Sequence, residues 1–362
     1  MNARRNWLPV LGAILLPLLL LSLQHLALER ASAGSGGQAG QWVHFPVAST
    51  PGMLLAGVDV GWQRIVWAQE DVAPCGEVPP ANRAPAEPEL DHDLCAFDLR
   101  SGAVISVTAD PGMNVWPRTD GNWSVFHVGG TAAGGTAAQQ HVSGERVLIP
   151  FPGGNSGQAN VQGDTAVFAT TSGSAIYAYD LAARQLVTVT TDAGNGLANP
   201  DVYGSLVVWQ QAGGLGGSDI LAYDLATNTP LTLSARLEDE LTPRIDGHLV
   251  VWSAAGNIYG YDLQSSQRLT ITEAPETQVY PAVSGQRIVW MDNRHGSWDV
   301  FAYDLATQTE TRVTQAPTDE MYPAVWGDVI TWETWQMANQ QALGVDAARW
   351  TTAFGFLPIV RH

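Results

Sequence analysis

Apolar residues in this chain come in short bursts such as Ile65-Val66-Trp67, Val207-Val208-Trp209, Val250-Val251-Trp252 and Ile288-Val289-Trp290, divided by glycine and small polar residues. Bursts this short, rich in β-branched and aromatic side chains, predict strands; their lack of polar alternation predicts strands covered on both faces. The segment from Tyr280 to Thr314 shows the unit most clearly, with strands expected at 282–284, 287–290, 299–303 and 309–314. Gly285 sits where the first strand must reverse into the second, a place where a side chain obstructs the turn.

The pattern repeats. Seven glycines are each followed five or six residues later by a large aromatic: Gly61/Trp67, Gly121/Phe126, Gly163/Phe168, Gly204/Trp209, Gly247/Trp252, Gly285/Trp290 and Gly327/Trp332. The glycines lie 60, 42, 41, 43, 38 and 42 residues apart. A period of about 41 residues is the length of one four-stranded blade, so the expected fold is an all-β propeller. Seven blades are predicted; because the second and seventh repeats are degenerate, six is the alternative. The seven aromatics Trp67, Phe126, Phe168, Trp209, Trp252, Trp290 and Trp332 are expected to pack between blades. A Tyr-Asp-Leu element closes the third strand at residues 179–181, 223–225, 261–263 and 303–305, with Phe97-Asp98-Leu99 as a variant. Each aspartate precedes a short polar turn, where a carboxylate accepts turn N–H bonds.

The pattern Pro-x-Val-x-Gly-x-x-Ile-Val-Trp, then Asp-x-Tyr-x-Tyr-Asp-Leu and a threonine-ended strand, resembles the TolB-like propeller repeats of exported and surface proteins of bacteria and archaea. Pro117-Arg118-Thr119-Asp120-Gly121 is similar to another form of that repeat. The resemblance covers residues 55 to 350 and implies a propeller that binds a ligand or partner more often than one that catalyses.

At the N-terminus, Arg4 and Arg5 precede an apolar run from Trp7 to Leu23, and Ala31-Ser32-Ala33 offers the small-x-small pattern of a signal peptidase site. The expected organisation is a signal peptide over 1–33, a linker and N-terminal strand over 34–54, the propeller over 55–353 and a tail over 354–362. Export follows, to the periplasm, cell surface or medium; an uncleaved anchor is the rival reading and the one route to a membrane. The two cysteines, Cys75 and Cys95, flank one insertion, and in an oxidising compartment a disulfide between them would contribute roughly 3 kcal/mol by chain entropy.

All 17 basic residues are arginine. Without lysine there is no Schiff base and no Walker-type phosphate loop. Against 35 acids the formal charge is −18, or −20 once residues 1–33 are removed. A field of that sign repels nucleic acid and anionic lipid. No cofactor is expected, and the chain is expected to be a monomer.

Loops joining strand two to three, and strand four to the next blade, share one end of a propeller. The long connections at 69–94, 129–138 and 210–217 all fall in these classes, which makes that end the candidate binding face. Trp116, Asn199, Thr242, Tyr280 and Tyr322 lead into successive inner strands there, near Glu240, Glu276, Asp319 and Glu320. An aromatic rim with carboxylates suits a sugar, a peptide, a surface protein or a cation. Catalytic signals are absent: there is no Gly-x-Ser-x-Gly elbow and no His-Glu-x-x-His pair, and the histidines are scattered. The oxygen-rich loop Asp292 to Asp299 contains Arg294, which argues against a metal. A polysaccharide lyase or hydrolase is the alternative function; a lyase acting on acidic sugars needs a cationic clamp, and the sequence shows no evident one. Amino-terminal sequencing of the exported protein is expected to begin at Gly34; a chain retaining residues 1–33 would instead establish the anchor.

Overall fold

In the computed structural model the described residues are 40–49, 55–70, 75, 91–109, 112–129, 134–150, 156–192, 194, 196–213 and 216–351. The segment 1–33 and the tail 354–362 lie outside them, as do most of the 69–94 insertion and the centres of the other two long connections. All described residues from Trp42 to Thr351 belong to one structural unit. Apart from a single 3-10 turn at Met337–Asn339, the regular structure among the described residues is entirely strand. No helix among the described residues is long and apolar enough to cross a membrane.

The strands form five four-stranded sheets and one eight-stranded sheet. A representative sheet runs Gln278–Ser284, Arg287–Asp292, Asp299–Asp304 and Thr309–Arg312, each strand antiparallel to the next. Its first strand begins four residues before the expected start at Ala282, because the register slips between Val279 and Ala282 and the bulge there breaks the periodicity. The eight-stranded sheet consists of two such meanders, Leu55 to Ser106 and Met113 to Leu148, joined by one parallel pair, His92 with Met113. The last sheet takes strands from both ends of the chain: Gln41–Ser49 lies at its edge beside Gln341–Thr351.

Strand two of each meander explains the unalternated apolar bursts. Ile288 and Trp290 point to the preceding sheet and pack with Leu249, Val251 and Val283, whereas Val289 points the other way, to Val325, Ile330 and Trp332. Trp209 and Trp252 repeat the arrangement against their own preceding sheets. Trp67, at the start of the chain's repeats, packs with Ala324, Val345 and Ala347 of the last sheet, so the circle of interfaces closes. All seven repeat aromatics are buried, none more than 3% exposed.

Small polar contacts keep the sheets in step. Gly163, Gly204 and Gly327 occupy the left-handed region, with φ of 57°, 58° and 57°, where a glycine avoids strain. Their N–H groups donate to Asp120 Oδ2 (2.8 Å), Gln162 Oε1 (3.1 Å) and Ser284 Oγ (3.0 Å), each on the turn of the preceding meander. The Tyr-Asp-Leu carboxylates serve their turns: Asp180 Oδ1 accepts from the N–H of Ala182 and Ala183 at 2.9 and 2.7 Å, and Asp304 Oδ1 from Ala306 and Thr307 at 3.0 Å. Cys75 and Cys95 are disulfide-bonded, with Cα atoms 5.5 Å apart.

Trp252 also carries the Arg268 guanidinium over its ring, 5.3 Å from the centroid. Trp252→Ala is expected to destabilise the fold by about 3–5 kcal/mol, read from urea melts. An unchanged midpoint would contradict the inter-sheet packing.

Candidate functional site

The slip seen between Val279 and Ala282 is not particular to one sheet. Every inner strand carries it, at Leu55/Val58, Val115/Arg118, Ser156/Ala159, Ala198/Asp201, Leu241/Arg244, Val279/Ala282 and Met321/Ala324. In five of these bulges the turned-out residue has a positive φ and stands immediately before a proline: Trp116 (54°), Asn199 (52°), Thr242 (53°), Tyr280 (53°) and Tyr322 (54°). Such a φ is uncommon for non-glycine residues and an outlier for β-branched Thr242; each costs of the order of 1–3 kcal/mol. Gly57 takes the same place at φ 99° without strain, and Gln158 takes it without a positive φ.

These bulges meet around one cavity of about 470 Å³, within the usual size range of small-molecule pockets. The five residues singled out in the sequence at the heads of the inner strands are thus brought together. Trp116, Tyr280 and Tyr322 are 52%, 44% and 41% exposed, so their rings form a mouth and not a core. Tyr280 and Tyr322 touch edge to face at 5.1 Å between centroids, and Trp116 lies against His127 at 5.6 Å. Gln210 Oε1 accepts from Asn199 Nδ2 (2.6 Å) and from the Thr242 N–H (2.9 Å), fixing the wall between them.

None of the four acids expected at this rim lines the cavity. Glu240 is fully buried, accepting from Ser234 Oγ at 2.5 Å and paired with Arg268 Nη1 at 3.3 Å. Glu276 is exposed, and Asp319 Oδ1 accepts the Trp298 N–H at 3.0 Å. Glu320 is buried in a separate side groove, shared with His44, Trp332 and Asp346, where Thr318 donates to its Oε1 at 2.6 Å. The loop from Asp292 to Asp299 is held by arginines: Arg294 Nε donates to Asp292 Oδ1 and Oδ2 at 2.9 Å, and Arg312 Nη2 to Asp299 at 3.0 and 2.9 Å. Among the described residues no three His, Cys, Asp or Glu side chains are grouped to hold a metal ion.

Below the aromatic mouth, residues two places after the turned-out ones line the axial channel. Asp59, Arg118, Asn160, Asp201 and Arg244 stand there, with Ala282 and Ala324 at the two remaining places. Two arginines therefore converge in the channel, and the expected lack of a cationic clamp is corrected. The signal was present as a paired motif, Trp116-Pro117-Arg118-x-Asp120-Gly121 and Thr242-Pro243-Arg244-x-Asp246-Gly247, but only a bulge of known geometry turns both arginines inward. Asp59 Oδ2 accepts the Thr119 N–H at 2.8 Å, and Asp201 Oδ2 the Ile245 N–H at 2.9 Å, so each carboxylate braces the backbone beside an arginine. Burial raises the Asp201 carboxyl to about 6, and Arg244 is lowered to about 10, first by burial and then by repulsion from Arg118. At the cavity wall, Glu333 accepts from Gly57 N–H (3.0 Å) and Trp335 Nε1 (2.8 Å). Burial holds its pKa above the ordinary glutamate value.

No protein-family model matches the sequence, and no curated protein matches it. Solved structures match in fold. The β-propeller domain of the Trilobed protease from Pyrococcus furiosus, which has an open velcro topology, aligns at TM-score 0.62 and 9% identity, over 84% of this chain and 100% of that one. An oligogalacturonate lyase in complex with manganese aligns at 0.56 and 10% identity, over 86% and 98%. A puromycin-hydrolyzing peptidase of Mycobacterium tuberculosis aligns at 0.58 and 13%, over 78% and 49%. The chain spans about half the length of that peptidase. At these identities the likeness shows the fold, a β-propeller, and nothing finer.

In the side groove, Glu320 gives the fold a pH signature. Burial raises its pKa from 4.5 to about 7, and its Oε2 has no hydrogen-bond partner among the described residues. The folded state therefore keeps a proton that the unfolded chain releases, and stability falls as pH rises from about 4.5 to about 7. Glu320→Gln removes this loss. Relative to wild type it is expected to gain roughly 1–3 kcal/mol between the acid and alkaline ends of that window, read from urea melts at each end. A pH-independent difference would refute the assignment.

Proposed function

We propose that this chain is an exported, non-catalytic propeller of TolB-like type that binds a glycan, peptide or surface protein through the end bearing the aromatic mouth. Counting the two meanders of the eight-stranded sheet separately gives seven blades. The disulfide, the apolar run from Trp7 to Leu23 and the Ala31-Ser32-Ala33 pattern that follows it support export. The observation that carries the binding reading is the ring of bulges, in which strained, half-exposed side chains from five inner strands face one cavity. Strain of this kind persists where the surrounding sheet enforces it, and here it sets three rings and two polar side chains around a common space.

A second reading, a polysaccharide lyase or hydrolase, is favoured by one observation: Arg118, Arg244 and Glu333 line the same cavity as the rings. Among the propellers similar in fold are an oligogalacturonate lyase and several peptidases. The binding reading is preferred because both Glu333 oxygens are already committed to Gly57 and Trp335.

A glycan and peptide screen on residues 34–362 is expected to return a ligand whose affinity falls at least tenfold in Tyr280→Ala, with little change in melting temperature because that ring is half-exposed. Loss of no ligand in the variant would sink the axial site, and accumulation of cleaved product during the screen would establish the enzyme.

A further inference from the structure

Hydrogen-bonding capacity on the channel floor is unbalanced. The carboxylates are turned to backbone N–H groups: Asp59 Oδ2 takes the Thr119 N–H, and the Asp201 oxygens take the N–H groups of Val202 and Ile245, both at 2.9 Å. Most of the guanidinium donors are not engaged in this way. A guanidinium carries five N–H groups. Arg118 uses Nη1 on the Val58 carbonyl at 3.3 Å, and Arg244 uses Nη1 on the Pro243 carbonyl at 3.2 Å. Among the described residues neither is within ion-pair distance of a carboxylate, in contrast to Arg268, Arg294 and Arg312, which are held on Glu240, Asp292 and Asp299. Arg118 and Arg244 come from the inner strands Met113–Thr119 and Glu240–Asp246 and repel one another across the axis. Ala324 adds only a methyl group to the lining beside them. Such a floor presents unused guanidinium donors to whatever enters from the mouth, and a carboxylate fits a guanidinium fork.

Resting on the axial cavity as the binding site, we propose that Arg118 and Arg244 grip the carboxylate of an acidic sugar. The walls above them favour a sugar over other carboxylates. Gln158, Asn160, Asn199 and Thr242 supply amide and hydroxyl groups for ring hydroxyls, while Trp116 and Tyr280 supply flat faces. The chain's overall acidity opposes long polyanions, so selection falls to these two local cations acting on a single residue of the ligand.

Calorimetric titration of residues 34–362 with galacturonate, galactose and N-acetylalanine tests this directly. Saturable binding of galacturonate is expected, at least tenfold tighter than either galactose, which lacks the carboxylate, or N-acetylalanine, which lacks the hydroxyls. In Arg118→Gln/Arg244→Gln, galacturonate is expected to fall to the level of galactose. No galacturonate binding, equal binding of galactose, or a double variant that still discriminates would overturn the proposal. Binding of N-acetylalanine as tight as galacturonate would overturn it in favour of a peptide carboxyl terminus. The wild-type titrations decide even if the double variant fails to fold. A neutral ligand that is lost in Tyr280→Ala, beside failure of galacturonate, would leave the axial binding site standing and remove only the anion grip.

Discussion

A sheet whose two faces are both apolar has to be covered twice, and this constraint organises the whole molecule. Ile288 and Trp290 need one neighbour while Val289, between them, needs another. Each meander therefore depends on the one before and the one after, and a row of such sheets leaves two bare faces unless it bends into a circle. Trp67 meeting Ala324 and Val345 is that closure. Burial of the large rings stabilises every interface in turn, so the loss of one is felt by its neighbours.

The circle also brings one end of every inner strand to a common axis. A flat inner strand would fill that space with its own side chains. The bulges prevent it by turning one residue outward to the mouth and the residue two places later inward to the floor. Thus a single backbone irregularity, repeated in each sheet, produces two tiers of different chemistry: rings and amides above, charges below. The floor is nearly neutral in count, two aspartates against two arginines, yet far from neutral in bonding, since backbone N–H groups have claimed the carboxylates.

The fold was readable because it is written in periodic features. The spacing of Gly-aromatic pairs gave the length of the unit, and the doubly apolar bursts told of sheets stacked face to face. The turn aspartates were readable for the same reason, since their partners lie two and three residues away. Of the site, Trp116 to Tyr322 were legible as the residues leading into successive inner strands. Arg118 and Arg244 were not, because their convergence depends on a register slip and on sheets about 120 residues apart in sequence. The rim acids failed for the opposite reason. Proximity in sequence to an inner strand says nothing of which way a side chain turns, and Glu240 and Glu320 turn into the protein, toward Arg268 and Thr318.

The edge strand Gln41–Ser49 has a bearing on how the molecule comes to be made. It emerges early, yet the partner it sits beside, Gln341–Thr351, is some 300 residues away along the chain. Until that partner exists the early strand has nowhere to dock and the final sheet lacks its margin. Among the described strands the seam thus closes the longest loop, at an entropic cost that grows only slowly with that length. The same seam is where an unzipping force applied at the amino-terminal side would act first, because this edge strand of nine residues has a single neighbour in its sheet.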